Sequence, residues 1–224
     1  MTQLALPLRL ADHAVFASYL GIGNEALVAT LTDLAEGHGG QGCWLWGSAA
    51  VGKTHLLQAV CDRAGDDSVY VPLRMLRDAG PGLLEDLESR EIICLDDIES
   101  VAGDAAWEEA LFALCNQIID AERILLVAAA MSPRECPIAL PDLQSRLVRL
   151  PIFQVQALDE QERVTALQLR ARHRGLDLPD ETASYLLSRS RRDMASLYEL
   201  LDKLDREALR AKRRLTIPFV KSVL

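Results

Sequence analysis

Residues 47–54 read Gly-Ser-Ala-Ala-Val-Gly-Lys-Thr, which fits the pattern G-x-x-x-x-G-K-[ST]. No other stretch restricts the fold as tightly, because this pattern works chemically only where a buried strand turns sharply into a helix. Both flanks fit. Cys43-Trp44-Leu45-Trp46 is a short apolar run with the character of a buried strand, and His55-Leu56-Leu57-Gln58-Ala59-Val60 begins a helix. In that setting the glycines let backbone N–H groups curl around phosphate oxygens, and the helix N-terminus adds the positive end of its dipole. Gly47, Ser48, Ala49, Ala50, Val51, Gly52, Lys53, Thr54 and His55 are therefore the candidate nucleotide-binding residues. Lys53 is placed to neutralise β- and γ-phosphate charge, and Thr54 to set its hydroxyl on Mg²⁺.

The remaining pattern extends this unit into an α/β domain followed by a helical one. Residues 23–36 read as a helix with Asn24 as its cap, and 38–42 break it. Residues 68–73 form a second strand and 83–89 a short helix. Residues 91–99 hold four consecutive apolar positions, as in a strand buried on both faces, and end on Asp96-Asp97. A helix over 107–120, a buried strand over 123–130 and a short helix over 142–147 follow. Strands alternating with helices imply a parallel sheet. From residue 159 onward only helices are legible: 159–174 closed by Gly175, 180–190 capped by Asp180, 193–213, and a last short one with Pro218 in its first turn. The expected organisation is an N-terminal peptide over 1–10, an α/β nucleotide-binding domain over 11–155 and a helical lid over 156–224.

Asp96-Asp97 supplies the second half of a nucleotide site, about 40 residues after the glycine loop and in the strand context that site requires. One carboxylate there helps hold Mg²⁺ and the next orients or deprotonates an attacking water. Asp96 is assigned to Mg²⁺ and Asp97 to the water, with the reverse order as the alternative.

The net charge of −9 argues against unaided DNA binding as the main task, since a protein holding DNA phosphates shows a basic face. Arg189, Arg191 and Arg192, and then Arg206, Arg210, Lys212, Arg213 and Arg214, form two local basic clusters, each readable equally as a solvated helix face. The five cysteines lack metal-ligand spacing and sit in part within apolar runs, as thiols do in a reducing compartment. No signal peptide or run long enough to cross a bilayer is present, so the expected location is cytoplasmic.

The combination of α/β domain, helical lid, glycine loop and acidic strand end resembles the AAA+ ATPase superfamily and, within it, the DnaA replication-initiator family. The residues carrying the second resemblance are Gly52-Lys53-Thr54-His55-Leu56-Leu57, Leu95-Asp96-Asp97-Ile98, and Leu140-Pro141-Asp142-Leu143-Gln144-Ser145-Arg146-Leu147. Residues 166–172 and 213–221 are similar to the short regulatory homologues of that family, which lack the initiator's DNA-binding domain. By this resemblance Arg146 is an arginine finger that reaches ATP bound on a neighbouring DnaA molecule. Gln3-Leu4-Ala5-Leu6-Pro7-Leu8 resembles the peptide with which these homologues dock on the DNA sliding clamp, the β subunit of DNA polymerase III. Gln3, Leu4, Leu6, Pro7 and Leu8 would make the contact. From the residues alone, an apolar arm packed on its own domain is an equal reading. DNA would then be engaged indirectly, through the clamp.

Two positions depart from the family pattern. Ala130 stands where a polar sensor residue follows the strand, and Ala195 stands where the lid carries a sensor arginine; Arg191 or Arg192 could substitute from another angle. Phe16, Tyr19 and the loop 21–24 precede the first helix, where the family forms its base pocket, and read equally as core. The resemblance therefore implies a protein that binds ADP or ATP with Mg²⁺, hydrolyses ATP poorly itself, and acts as a negative regulator of replication initiation by stimulating hydrolysis of DnaA-bound ATP. An AAA+ loader or helper ATPase and a non-catalytic adaptor that sequesters DnaA are the alternatives. Self-association into a homo-oligomer is compatible with the sequence.

Overall fold

The computed structural model describes residues 14–38, 40–189, 194–211 and 214–223. A five-stranded parallel sheet is built from β1 (Gly42–Trp46), β2 (Ser68–Pro72), β3 (Ile92–Asp96), β4 (Ile124–Ala129) and β5 (Ile152–Gln154), in the order β2-β3-β4-β1-β5. Around it lie α1 (Glu25–Ala35), α2 (Lys53–Ala64), α3 (Leu73–Leu76), α4 (Ala105–Asp120) and α5 (Pro141–Leu147). The lid follows as α6 (Glu160–His173), α7 (Asp180–Arg189), α8 (Met194–Ala211) and α9 (Ile217–Val223).

The strands are continuous apolar runs because both faces of the sheet are covered. Side chains alternate between two cores, as the two-residue period of a strand demands. Cys43, Leu45, Cys94, Leu126 and Ala128 face α1 and α2, meeting Leu31, Leu56 and Leu57. Trp44, Ile93, Leu95 and Val127 face α4 and α5, meeting Leu111, Leu114 and Leu143. A third core, including Leu167, Leu186, Leu201 and Phe219, holds the lid helices together. All five cysteines are buried free thiols. Gly42 is required where β1 starts: its φ is +121°, and a Cβ there would lie 1.8 Å from the Leu125 carbonyl oxygen.

Helix starts follow local chemistry. Asp104 caps α4, accepting from the N–H groups of Ala106 and Trp107 at 3.1 and 3.3 Å. Asp159 and Glu162 close a reciprocal capping box on α6, at 2.8 and 2.7 Å. Several expectations need correction. Asn24 occupies the cap position of α1 but makes no side-chain cap bond. Its amide instead pairs with the backbone of Gln156, accepting from the N–H at 2.8 Å and donating to the carbonyl at 3.2 Å, which ties α1 to the exit of β5. Residues 83–89 are not one helix. Two short 3₁₀ turns, Pro81–Leu84 and Leu87–Ser89, are separated where Asp86 takes a left-handed φ of +64°. Asp180 is the first residue of α7, and its carboxylate accepts from Gln168 of α6 at 2.6 Å. β5, only three residues long, was too brief for the pattern to reveal.

Candidate functional site

The loop after β1 and the acidic end of β3 open on the same edge of the sheet, with β4 between them. In a parallel sheet this edge, beyond the strand C-termini, is where ligands bind. A cleft of about 890 Å³ lies there, lined by Ala49 to His55, Asp97 and Tyr19 on one side and by lid residues Arg170, Met194, Ala195 and Tyr198 on the other. Ala50 holds a left-handed φ of +60°, and Gly52 one of +101°. Alternating hands of this kind turn consecutive N–H groups inward as an anion cradle. A Cβ at Gly52 would come 2.7 Å from the Tyr19 ring.

Lys53 is buried, and its ammonium donates to the carbonyls of Gly47 and Ser48 at 2.7 and 3.0 Å. Burial pulls its pKa down, while Glu99, Asp96 and Asp97 push it back up. Thr54 Oγ1 donates to Asp96 Oδ2 at 2.7 Å, and Tyr70 donates to the same oxygen at 2.8 Å. Asp96 is itself buried, and desolvation raises its pKa despite those bonds. A desolvated carboxylate beside a hydroxyl is the oxygen donor set that suits Mg²⁺, so Thr54 and Asp96 fit that ion. Asp97 has φ +56°, and its Oδ2 accepts from Arg74 Nε at 2.8 Å. The carboxylate assigned to a water is thus held by a guanidinium.

Phe16 and Tyr19 both pack against the core beneath α1 and α2, but only Tyr19 also lines the cleft, and the loop 21–24 stays outside the cleft lining. Ala130 is exposed just beyond β4 and does not line the cleft. Ala195 does line it, offering only a methyl group. Arg191, Arg192, Lys212 and Arg213 fall outside the described residues, as do Gln3, Leu4, Leu6, Pro7 and Leu8. Tyr70, Arg74, Arg170 and Tyr198 join the site without having been foreseen. Arg74 follows a strand after only two residues, a place where a side chain turns toward the ligand edge; the others carry no comparable local mark.

His55 lies at the junction of the site with the N-terminal segment. Its Nε2 donates to the Val15 carbonyl at 2.9 Å, and its ring meets Tyr19 with centroids 5.5 Å apart. Burial drives its pKa down from 6.5 to about 4. The folded protein therefore binds this proton later than the unfolded chain does as pH falls. Stability linked to His55 is complete above pH 6.5 and declines between 6.5 and 4. We expect wild type to lose up to about 3 kcal/mol relative to His55→Gln across that window, from paired denaturant titrations. A constant difference between the two proteins would contradict it.

Arg146 lies elsewhere. It projects from α5 into a groove of about 350 Å³ lined by Gln41, Arg123, Leu125, Arg149 and Pro151, among others. These residues sit at the starts of β1, β4 and β5, the edge of the sheet away from the cleft. The Arg146 side chain makes no ion pair or hydrogen bond with the described residues, the Asp142 carboxylate included.

Comparison with known proteins bears on this arrangement. A family model described as the ATPase family associated with various cellular activities (AAA) matches residues 43–152, and one described as Hda, lid domain, matches residues 159–224. This chain is an Hda-like AAA+ protein. Its fold is similar to that of domain III of the Thermotoga maritima replication initiation protein DnaA, with TM-score 0.78 and 18% identity, covering 96% of each chain. AMPPCP-bound DnaA from Aquifex aeolicus is similar over 91% of this chain and 69% of that one, with TM-score 0.67 and 21% identity. The Thermotoga maritima RuvB Holliday junction branch migration motor reaches TM-score 0.63 at 19% identity, over 91% and 67% of the respective chains. Among the described residues of the Hda-like protein, no helix is long and apolar enough to cross a membrane.

Proposed function

We propose that this protein docks on the DNA sliding clamp through residues 3–8, binds ADP or ATP with Mg²⁺ in its own cleft, and presents Arg146 to ATP held by a DnaA molecule, whose hydrolysis it accelerates. The observation that carries this reading is the position of Arg146. It stands at the strand-start edge, remote from the nucleotide cleft at the opposite edge, and no described carboxylate holds it. A guanidinium so placed cannot serve its own nucleotide and is free to serve a neighbour's. Its planar fork suits the spreading charge of a transferring γ-phosphoryl group. The bound state of an Aquifex aeolicus DnaA with AMPPCP supports a nucleotide in the corresponding cleft of this fold.

Mg²⁺, held by Thr54 and Asp96, would offset phosphate charge. The chain's own hydrolysis would be weak: Ala130 and Ala195 offer no polar group, and Asp97 already engages Arg74. The test is a reconstituted assay with clamp loaded on DNA and ATP-charged DnaA. The intact chain should stimulate DnaA-bound ATP hydrolysis, and deletion of residues 1–8 should abolish clamp binding and clamp-dependent stimulation together. Undiminished clamp affinity in the truncated chain would remove the docking assignment.

A further inference from the structure

Arg170, on the first lid helix, is 7% exposed, yet its Nε has no hydrogen-bond partner among the described residues. Its guanidinium lies 4.2 Å over the Tyr198 ring, which supports one face of the cation and leaves the Nε–H in its plane unused. Asp202 on α8 attracts Arg170 but is shared with Arg174, which also engages Asp205, and neither carboxylate bonds the Arg170 Nε–H. Burying a cation that shares its nearest carboxylate with a second guanidinium and keeps an unbonded donor is unfavourable unless a further partner arrives from outside. Arg170 lines the same cleft as Lys53 and Thr54, beside Ala195. The methyl group of Ala195 leaves that wall open to a long side chain from the neighbouring helix.

We propose that Arg170 is the lid's anion-binding residue, supplying charge-assisted hydrogen bonds to the phosphates of the bound nucleotide while Tyr198 fixes its plane. This rests on the reading of the cleft as a nucleotide site. It assigns to the first lid helix a task that Ala195 on the third cannot perform, and makes lid position responsive to the phosphates. Burial also lowers the pKa of Arg170, opposed by Asp202 and Tyr198 and reinforced by Arg174, and a phosphate would relieve the lowering.

The test uses the full chain and four proteins: wild type, Arg170→Met, Arg170→Lys and Lys53→Ala. Affinities for Mg·ADP, and for adenosine by competition, are measured by titration. Arg170→Met keeps the unbranched stem on Tyr198 and should weaken ADP by about tenfold or more, the loss expected for a charge-assisted bond. Arg170→Lys should fall between, since an ammonium cannot reproduce the fork. Adenosine affinity should stay within about twofold in both, because the nucleoside carries no phosphate for the guanidinium to meet. Equal losses for ADP and adenosine would overturn the phosphate assignment. If Lys53→Ala loses ADP while both Arg170 variants retain it, the inference about Arg170 fails alone. If wild type itself binds no ADP, the nucleotide reading fails and takes this one with it. Should Arg170→Met not fold, the ADP-to-adenosine comparison in Arg170→Lys decides.

Discussion

Arg146→Ala is expected to abolish stimulated hydrolysis of DnaA-bound ATP, by roughly 10³-fold, the scale on which fingers supplied in trans act. The fold should be untouched, because the Arg146 side chain forms no ion pair or hydrogen bond with the described residues and its removal strands no partner. Arg146→Lys should recover little. An ammonium restores the charge but not the two parallel donors that meet phosphate oxygens as charge spreads. Clamp binding and the chain's own ADP affinity should match wild type, since both are assigned to other parts of the molecule. The measurement is single-turnover hydrolysis of ATP preloaded on DnaA, with clamp and DNA present. If Arg146→Ala stimulated as wild type does, the regulatory mechanism would fall and a nucleotide-binding scaffold would remain.

The two halves of the candidate site differ in how far the sequence disclosed them. The glycine loop and Asp96-Asp97 were legible because their chemistry is local: a few consecutive residues at a strand end determine backbone hand and side-chain direction. The same holds for strands β1, β3 and β4, whose unbroken apolar runs suit a sheet covered on both faces, and for α6, with its Asp159–Glu162 capping pair. What escaped was long-range. Tyr70 bonds Asp96 from the neighbouring strand, 26 positions away, and Arg170, from the lid, lines the same cleft as Lys53. Neither position carries a local sign of its role. Asn24 shows the same limit in reverse: a residue suited to capping was taken by the Gln156 backbone, 132 positions away. Residues 83–89 missed helix geometry because Asp86 adopts a left-handed turn that helical spacing cannot register.

The second large effect concerns a residue whose signal was present and unread. Glu108 shares the apolar face of α4 with Leu111 and Cys115, and is 2% exposed. A carboxylate among buried apolar positions implies fixed donors. Its Oε1 accepts from the N–H groups of Gly103 and Ala139 at 2.7 and 2.9 Å, and its Oε2 from that of Leu140 at 2.7 Å. Leu140 is the N-cap of α5, the seven-residue helix that carries Arg146. Glu108 therefore sets where the helix that carries Arg146 begins. Glu108→Ala would leave three N–H groups without their acceptor and should destabilise the protein by roughly 3–5 kcal/mol, read as a loss in denaturant midpoint. Glu108→Gln is the more informative variant. Its amide keeps one acceptor oxygen for Gly103 and Ala139 but turns an NH₂ toward the Leu140 N–H, donor against donor. It should fold, with a loss of about 2 kcal/mol, and bind ADP within about twofold of wild type, because α4 and α5 do not line the cleft. Stimulated hydrolysis on DnaA should nevertheless drop by about tenfold, since Arg146 rides on the displaced helix start and small misplacements are amplified in catalysis. Full stimulation by Glu108→Gln, or a loss that tracks ADP affinity, would show that Glu108 serves general stability and leaves the finger helix to other contacts.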